Sequence, residues 1–171
     1  MQEDSYLPFE RIKKEVLIKA NANTSYDFGT PIKDTPTEKL ISSGVININK
    51  PQGPTSHQVS DYIKKILDIK KAGHSGTLDP NVTGVLPVAL QDSTKIVDVL
   101  LKAGKEYVCL MHLHKNLDKD QIKKTMHSFI GKTTQLPPIR SAIKRQPRQR
   151  EIYYIQVLEI QEKEVLFKIG C

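Results

Sequence analysis

A chain of 171 residues, 38% hydrophobic and 26% charged, has the length and composition of one soluble domain, or most of one, with its own core. No apolar run approaches the roughly 20 residues that span a bilayer, and the N-terminal MQEDSYLPFERIKK lacks the apolar segment of a secretory signal, so no membrane partner is expected. A formal net charge of +7 points to a polyanionic partner, nucleic acid being the simplest. The two cysteines, Cys109 and Cys171, are too few for a disulfide framework and show no metal-ligand spacing. That usage suits a reducing, cytoplasmic location.

Residues 1–40 are polar and frequent in Asn, Thr, Asp and Pro, and read as an N-terminal arm with a short amphipathic piece over 11–19. The main domain, residues 41–171, opens at GVININK, where Val45, Ile46 and Ile48 predict a short strand. KPQGPTS follows as a turn. In HQVSDYIKKILDIKK, Val59, Tyr62, Ile63, Ile66 and Leu67 recur at spacings of three and four. They predict one apolar helix face, with Thr55 or Ser56 as its N-cap. Residues 71–88 have no helical period and are rich in Gly and Pro, which predicts a loop. A helix is expected over 93–102, stopping at Gly104, and KEYVCLMHLH then predicts a strand. Asp118 opens another helix through the capping-box-like DKDQ, with Ile122, Met126, Phe129 and Ile130 as its face and Gly131 as its end.

From 131 to 150 there are six basic residues (Lys132, Arg140, Lys144, Arg145, Arg148 and Arg150) and no acidic one. Pro137 and Pro138 begin the most irregular part of that stretch. EIYYIQVLEI and EVLFKIG predict a hairpin turning at 161–163. The mixture predicts an α+β fold, a mixed and mostly antiparallel sheet with flanking helices. The last segment, EVLFKIGC, stops inside an apolar strand, which would leave backbone groups unpaired at an edge. More polypeptide is therefore expected beyond Cys171.

Chemistry concentrates in GHSGTLDP, residues 73–80, where two glycines, two hydroxyls and a histidine surround Asp79. Gly76 lets backbone approach a ligand, and the apolar residues that follow would aim Asp79 from an apolar wall into a cleft. A lone carboxylate there can act as nucleophile or general base. The plainer alternative is that Asp79 caps the turn at Pro80 and Asn81. His74 and Ser75 beside it could suggest a hydrolase triad, but the G-x-S-x-G elbow is missing. HSGTLD also differs from a phosphatase D-x-D-G-T loop, because its aspartate follows the Gly-Thr. His112 and His114 at alternate strand positions, with His57, find no further ligand nearby in the sequence, so no metal site is predicted.

GVININKPQGPTSHQV and KAGHSGTLDPNVTGVLPVAL strongly resemble motifs I and II of the TruB-type pseudouridine synthases. KAGKEYVCLMHLH and LPPIRSAIKRQPRQREIYYIQVLEI resemble the dyskerin branch, the archaeal and eukaryotic H/ACA guide-RNA-dependent enzymes, and the resemblance runs over residues 16–171. It implies that Asp79 is the catalytic aspartate. The reaction breaks the C1′–N1 bond of a uridine, turns the base and joins C1′ to C5, so the product is an isomer and no cofactor is implied. By the same resemblance His74 helps to hold the flipped-out nucleotide beside Gly76 and Thr77, and Tyr107 stacks on the target base. Lys50 and Pro51 match a motif that supports the active loop. The stretch with Arg140, Lys144, Arg145 and Arg148 matches a thumb-like loop on substrate RNA, where phosphate contacts are steeply salt-dependent.

TruB-type domains continue with a G-T-Y-I-R-like motif III, whose arginine pairs with the catalytic aspartate, and in this branch with a PUA domain that grips the guide RNA. Neither motif III nor a PUA domain occurs in the 171 residues. The resemblance thus implies a complementing C-terminal polypeptide, either as the other half of a split enzyme or as the remainder of a truncated one, and an isolated chain that is inactive. The implied partners are an H/ACA guide RNA, substrate ribosomal RNA and small H/ACA accessory proteins. The alternative function is a non-catalytic RNA-binding or assembly scaffold of such a particle.

Overall fold

The computed structural model describes residues 5–22, 25, 27–137, 139 and 145–171. They fall into two compact units, Leu17–Ala103 on one hand and Met1–Val16 with Gly104–Cys171 on the other. The polar first 40 residues carry more regular structure than their composition suggests. α1 (Pro8–Arg11) starts on a proline, a 3-10 turn spans Ile32–Asp34, and α2 (Thr37–Ser43) crosses the boundary at 40/41. The amphipathic piece expected over 11–19 is not helical beyond Arg11, and its apolar residues Val16, Leu17 and Ile18 are exposed.

In the unit Leu17–Ala103, β1 (Val45–Lys50) alternates outward and inward residues, so Ile46, Ile48 and Lys50 share the inner side. α3 (Ser56–Ile66) follows, with Thr55 as N-cap: its hydroxyl accepts from the Gln58 N–H, while Gln58 Oε1 accepts from the Thr55 N–H at 2.8 Å. Val59 and Ile63 pack on Leu86, Val88 and Leu90 to form the core. Tyr62 and Ile66, expected on the same face, are exposed, because only the residues four apart lie over the sheet.

The stretch 71–88, predicted as a loop, is loop over 75–83, as expected for most of GHSGTLDP, but is flanked by two strands. β2 (Ala72–His74) and β3 (Gly84–Leu90) pair antiparallel, and β3 lies between β1 and β2. Pro87 hid this, since proline is rare in a central strand. Its carbonyl accepts from the Ser75 N–H at 3.0 Å, so its ring nitrogen faces the β2 side, past the last β2 pair, His74 with Val88. No bond to β1 is lost. The helix expected over 93–102 begins as a 3-10 turn, Gln91–Ile96, and continues as the short α4 (Val97–Leu101).

The other unit contains β4 (Glu106–His112), α5 (Lys119–His127), β5 (Gly131–Gln135), β6 (Arg148–Ile152), β7 (Tyr154–Gln161) and β8 (Glu164–Gly170). Asp118 caps α5 by accepting from the Asp120 and Gln121 N–H groups at 2.9 and 3.1 Å. Ile122 and Met126 of α5 bury against Ile155 and Val165. α5 closes at Ser128, so Phe129 and Ile130, expected on its apolar face, lie past the helix and are exposed. β5 and β6 pair antiparallel, so the basic stretch 131–150 opens and closes in strand, with β5 ending before the part that Pro137 and Pro138 begin.

β8 is central, flanked by β4 and β7. The unpaired edge expected at EVLFKIGC is not found, since Phe167 faces Cys109 on one side and Val157 on the other. Backbone bonds between Lys105 and Cys171, at 2.7 and 2.9 Å, carry the pairing to the last residue. Every strand pairing among the described residues is antiparallel, and with the packed helices this is the α+β architecture that the patterning predicts.

Gly170 is required by space: a Cβ there would lie 2.3 Å from Cε1 of Tyr154, whose ring rests on the glycine. The buried Tyr154 hydroxyl donates to the Glu106 carboxylate, and Lys168 Nζ reaches the same carboxylate at 2.9 Å. Burial, then the Glu106 hydrogen bond and charge, push the Tyr154 phenol up to about 12. The unfolded chain therefore releases this proton near the ordinary value of 10.0 while the folded chain keeps it, and stability should fall as pH rises from 10 toward 12. Tyr154→Phe should remove on the order of 1–2 kcal/mol of that alkaline loss. Urea unfolding of both proteins from pH 8 to 12 measures it, and parallel curves would contradict the assignment.

Candidate active site

The segment GHSGTLDP leaves β2 at His74 and returns to the sheet at Gly84. Ser75, buried, is tied to β3 through its N–H. Gly76 has φ +146°, a conformation that side-chain-bearing residues rarely adopt. His74 Nδ1 lies 2.6 Å from the Gly76 carbonyl, so Nδ1 carries the proton and donates. The ring is thereby oriented, with Nε2 left unengaged by the described residues.

The following residues are held at three points by the KPQGPTS segment. Ser56, 1% exposed, accepts from the Leu78 N–H at 2.9 Å and donates to the Leu78 carbonyl at 3.1 Å. The Gly53 N–H donates to the Pro80 carbonyl at 2.8 Å. Lys50, 0% exposed, donates from Nζ to the Val82 carbonyl at 3.0 Å and to the Pro51 carbonyl at 2.9 Å. These bonds join motif I to motif II, and bracket Asp79 on both sides.

Asp79 itself is exposed, and its carboxylate makes no hydrogen bond or ion pair with any described residue. The turn it begins is closed by backbone, the Val82 N–H donating to the Asp79 carbonyl at 3.2 Å. The carboxylate is thus not used as a turn cap, and it stands free on a pinned loop. Such a group can attack as a nucleophile or take a proton. Thr77 is exposed and Gly76 half-buried. Pro51 contributes its carbonyl to Lys50.

Tyr107, Arg145 and Arg148 belong to the other unit. Tyr107 sits on β4 opposite Ile169, 38% exposed, and burial, with the Cys171 and Cys109 thiols adding to it, raises its phenol above the ordinary range. Arg145 is exposed. Arg148 and Arg150 face Gln135 and Thr133 across the β5–β6 hairpin, at alternate positions and so on one face. The Arg148 Nε is buried without a hydrogen-bond partner among the described residues. Arg140 and Lys144 lie outside the described residues.

The histidines are dispersed. β4 ends at His112, so His114 is not on the strand; His112 pairs with Glu164 at 2.5 Å and His57 lies 3.9 Å from Asp61. Among the described residues no group of His, Cys, Asp and Glu could hold a metal ion. Sequence reasoning missed the loop-holding role of Ser56, weighing it only as an alternative N-cap. Thr55 takes the cap, which frees the Ser56 hydroxyl for Leu78.

Two family models cover most of the chain. Residues 64–171 match the N-terminal domain of the TruB family pseudouridylate synthases, and residues 4–60 match the DKCLD (NUC011) domain. The chain belongs to the TruB family of pseudouridylate synthases. Among curated relatives, this TruB-family chain is 57% identical over 160 residues to the probable tRNA pseudouridine synthase B of Pyrococcus furiosus, covering 93% of the chain and 47% of that protein. It is 49% identical over 168 residues to the protein so named from Methanopyrus kandleri, covering 98% and 49%. It also resembles a chain in the crystal structure of a Cbf5–Nop10–Gar1 complex (56% identity, TM-score 0.86, 96% of this chain and 50% of that one). A second likeness is to a chain of an H/ACA ribonucleoprotein bound to a substrate RNA containing 2'-deoxyuridine (52% identity, TM-score 0.83, 94% and 48%). The TruB-family chain spans about half the length of the curated relatives it matches.

Proposed function

We propose that this chain is the aspartate-bearing part of an RNA pseudouridine synthase that works in an H/ACA guide-RNA-directed particle in the cytoplasm and isomerises uridine in ribosomal RNA. The observation that carries the reading is the Asp79 carboxylate, exposed and unengaged among the described residues, on a loop bracketed by Lys50, Gly53 and Ser56. Asp79 initiates cleavage of the C1′–N1 bond, by attack on the nucleotide or by removing a ribose proton. The detached uracil turns and C1′ bonds to C5 as the Asp79–C1′ bond breaks, or, on the other route, as Asp79 returns the ribose proton; the C5 proton leaves while N1 gains one. His74, Gly76 and Thr77 cradle the extruded nucleotide and Tyr107 stacks on the base. An arginine from a complementing C-terminal polypeptide pairs with Asp79, and the PUA domain of that polypeptide holds the guide RNA. Small accessory proteins complete the particle, in keeping with the Cbf5–Nop10–Gar1 complex that the chain resembles.

The test is guide-directed conversion of uridine by the assembled particle with Asp79→Ala beside the unaltered protein. Loss of product with RNA binding retained is expected; unchanged conversion would mean a scaffold. The chain without its complement should yield no product, and isomerisation by the chain alone would refute the need for one.

Arg140, Lys144, Arg145 and Arg148 neutralise substrate phosphates in this reading. The double variant Arg145→Gln, Arg148→Gln should weaken RNA binding about equally for different sequences. It should also flatten the plot of log affinity against log salt by roughly 0.7–0.9 for each phosphate left without its arginine. A salt titration by filter binding measures the slope, and an unchanged slope would remove these arginines from the interface.

A further inference from the structure

We infer that Ser56 is a positioning residue for the chemistry of Asp79, an inference that rests on the functional reading above. A hydroxyl offers one donor and two lone pairs, and Ser56 uses both kinds on one residue: Oγ accepts from the Leu78 N–H at 2.9 Å and donates to the Leu78 carbonyl at 3.1 Å. Those two groups belong to the two peptide planes that meet at the Leu78 Cα. The second plane is the Leu78–Asp79 bond, so its orientation sets where the Asp79 Cα, and hence the carboxylate, begins. Lys50 and Gly53 hold the carbonyls of Val82 and Pro80, downstream of the aspartate. Upstream, the bonds that tie this loop to the KPQGPTS segment are those of Ser56.

The anchor is itself fixed. Ser56 is 1% exposed in the first turn of α3, with Thr55 and Gln58 capping that turn reciprocally. A hydroxyl on a free loop would average over rotamers; this one is held by a capped helix packed on the sheet, so its two bonds pass the helix position on to the loop. Asp79 has no partner among the described residues to set its direction, which makes the backbone beneath it the local determinant of where the carboxylate lies.

The experiment compares Ser56→Ala with Ser60→Ala, an equally buried serine whose hydroxyl bonds only its own helix. In the chain, hydrogen exchange at the Leu78 amide should quicken at least about tenfold in Ser56→Ala, with the β3 amides of Val88 and Leu90 unchanged. In the assembled particle, the single-turnover rate should fall on the order of 10²-fold, with RNA affinity within about twofold of the unaltered protein. Ser60→Ala should match the unaltered protein in both. A Leu78 amide that stays protected, or an undiminished single-turnover rate in Ser56→Ala, overturns the inference. Should Ser56→Ala not fold, Ser56→Cys is read instead: its weaker donor and acceptor should give an intermediate rate, and a full rate overturns the inference. Asp79→Asn separates the two levels. If it turns over at full rate, the functional reading falls and this inference with it; if it is inactive while Ser56→Ala is undiminished, only the inference falls.

Discussion

Asp79→Asn should lower the single-turnover rate of the assembled particle by at least about 10³-fold while leaving RNA affinity within about twofold. The substitution keeps the side chain's size and removes only its capacity to attack or take a proton. Because the carboxylate bonds to no described residue, its loss orphans no buried group among them, and the bonds of Lys50, Gly53 and Ser56 to the loop remain. The melting temperature of this chain by itself should therefore stay within about a degree of the original, consistent with a surface substitution. Asp79→Glu should recover little, since a carboxylate moved by one methylene on a pinned loop misses the geometry that the loop holds. The diagnostic is the combination of lost rate, kept affinity and kept stability. A fall in stability that matched the fall in rate would recast Asp79 as a structural residue.

Lys50→Ala should have the opposite signature, a stability loss of about 3 kcal/mol or more with activity falling as a consequence. Lys50 is 0% exposed, and its stem continues the inward row of Ile46 and Ile48 at the end of β1. Alanine leaves a cavity where that stem lay and strips the carbonyls of Pro51 and Val82 of their shared donor. Lys50→Met refills the stem but not the two hydrogen bonds, so it should fall between, at about 1–2 kcal/mol. Urea denaturation followed by circular dichroism orders the three proteins. If Lys50→Ala unfolded at the same midpoint as the unaltered chain, the buried amine would not hold the fold.

Local patterns make much of this protein readable. The strand at GVININK, a cap at Thr55 or Ser56, the Asp118 cap and the hairpin of EIYYIQVLEI and EVLFKIG all follow from short-range rules, and each forms, with Thr55 taking the first cap. The two motifs that carry the family resemblance are likewise contiguous, so Asp79 is conspicuous in the sequence alone. Failures occur where neighbours decide. β3 is masked by Pro87, tolerable only because β2 ends beside it. β8 is central because β4, some 50 residues earlier in the chain, pairs along its far side, a fact that the apolar run of EVLFKIG does not contain. Tyr62 and Ile66 have the right period but lie beyond the width of the sheet surface that α3 covers.

The sequence by itself determined the identity of the candidate groups, because a carboxylate, an imidazole and a phenol owe their chemistry to side chains alone. Only the tertiary structure decided that the Asp79 carboxylate has no partner among the described residues while its loop is held. Ser56 and Lys50 lie 22 and 32 residues from the backbone groups they hold, and such pairings arise when β1 and α3 close on β3. Hydrogen bonds at that separation leave no local periodicity, since they depend on where the packed sheet brings a donor and a carbonyl together.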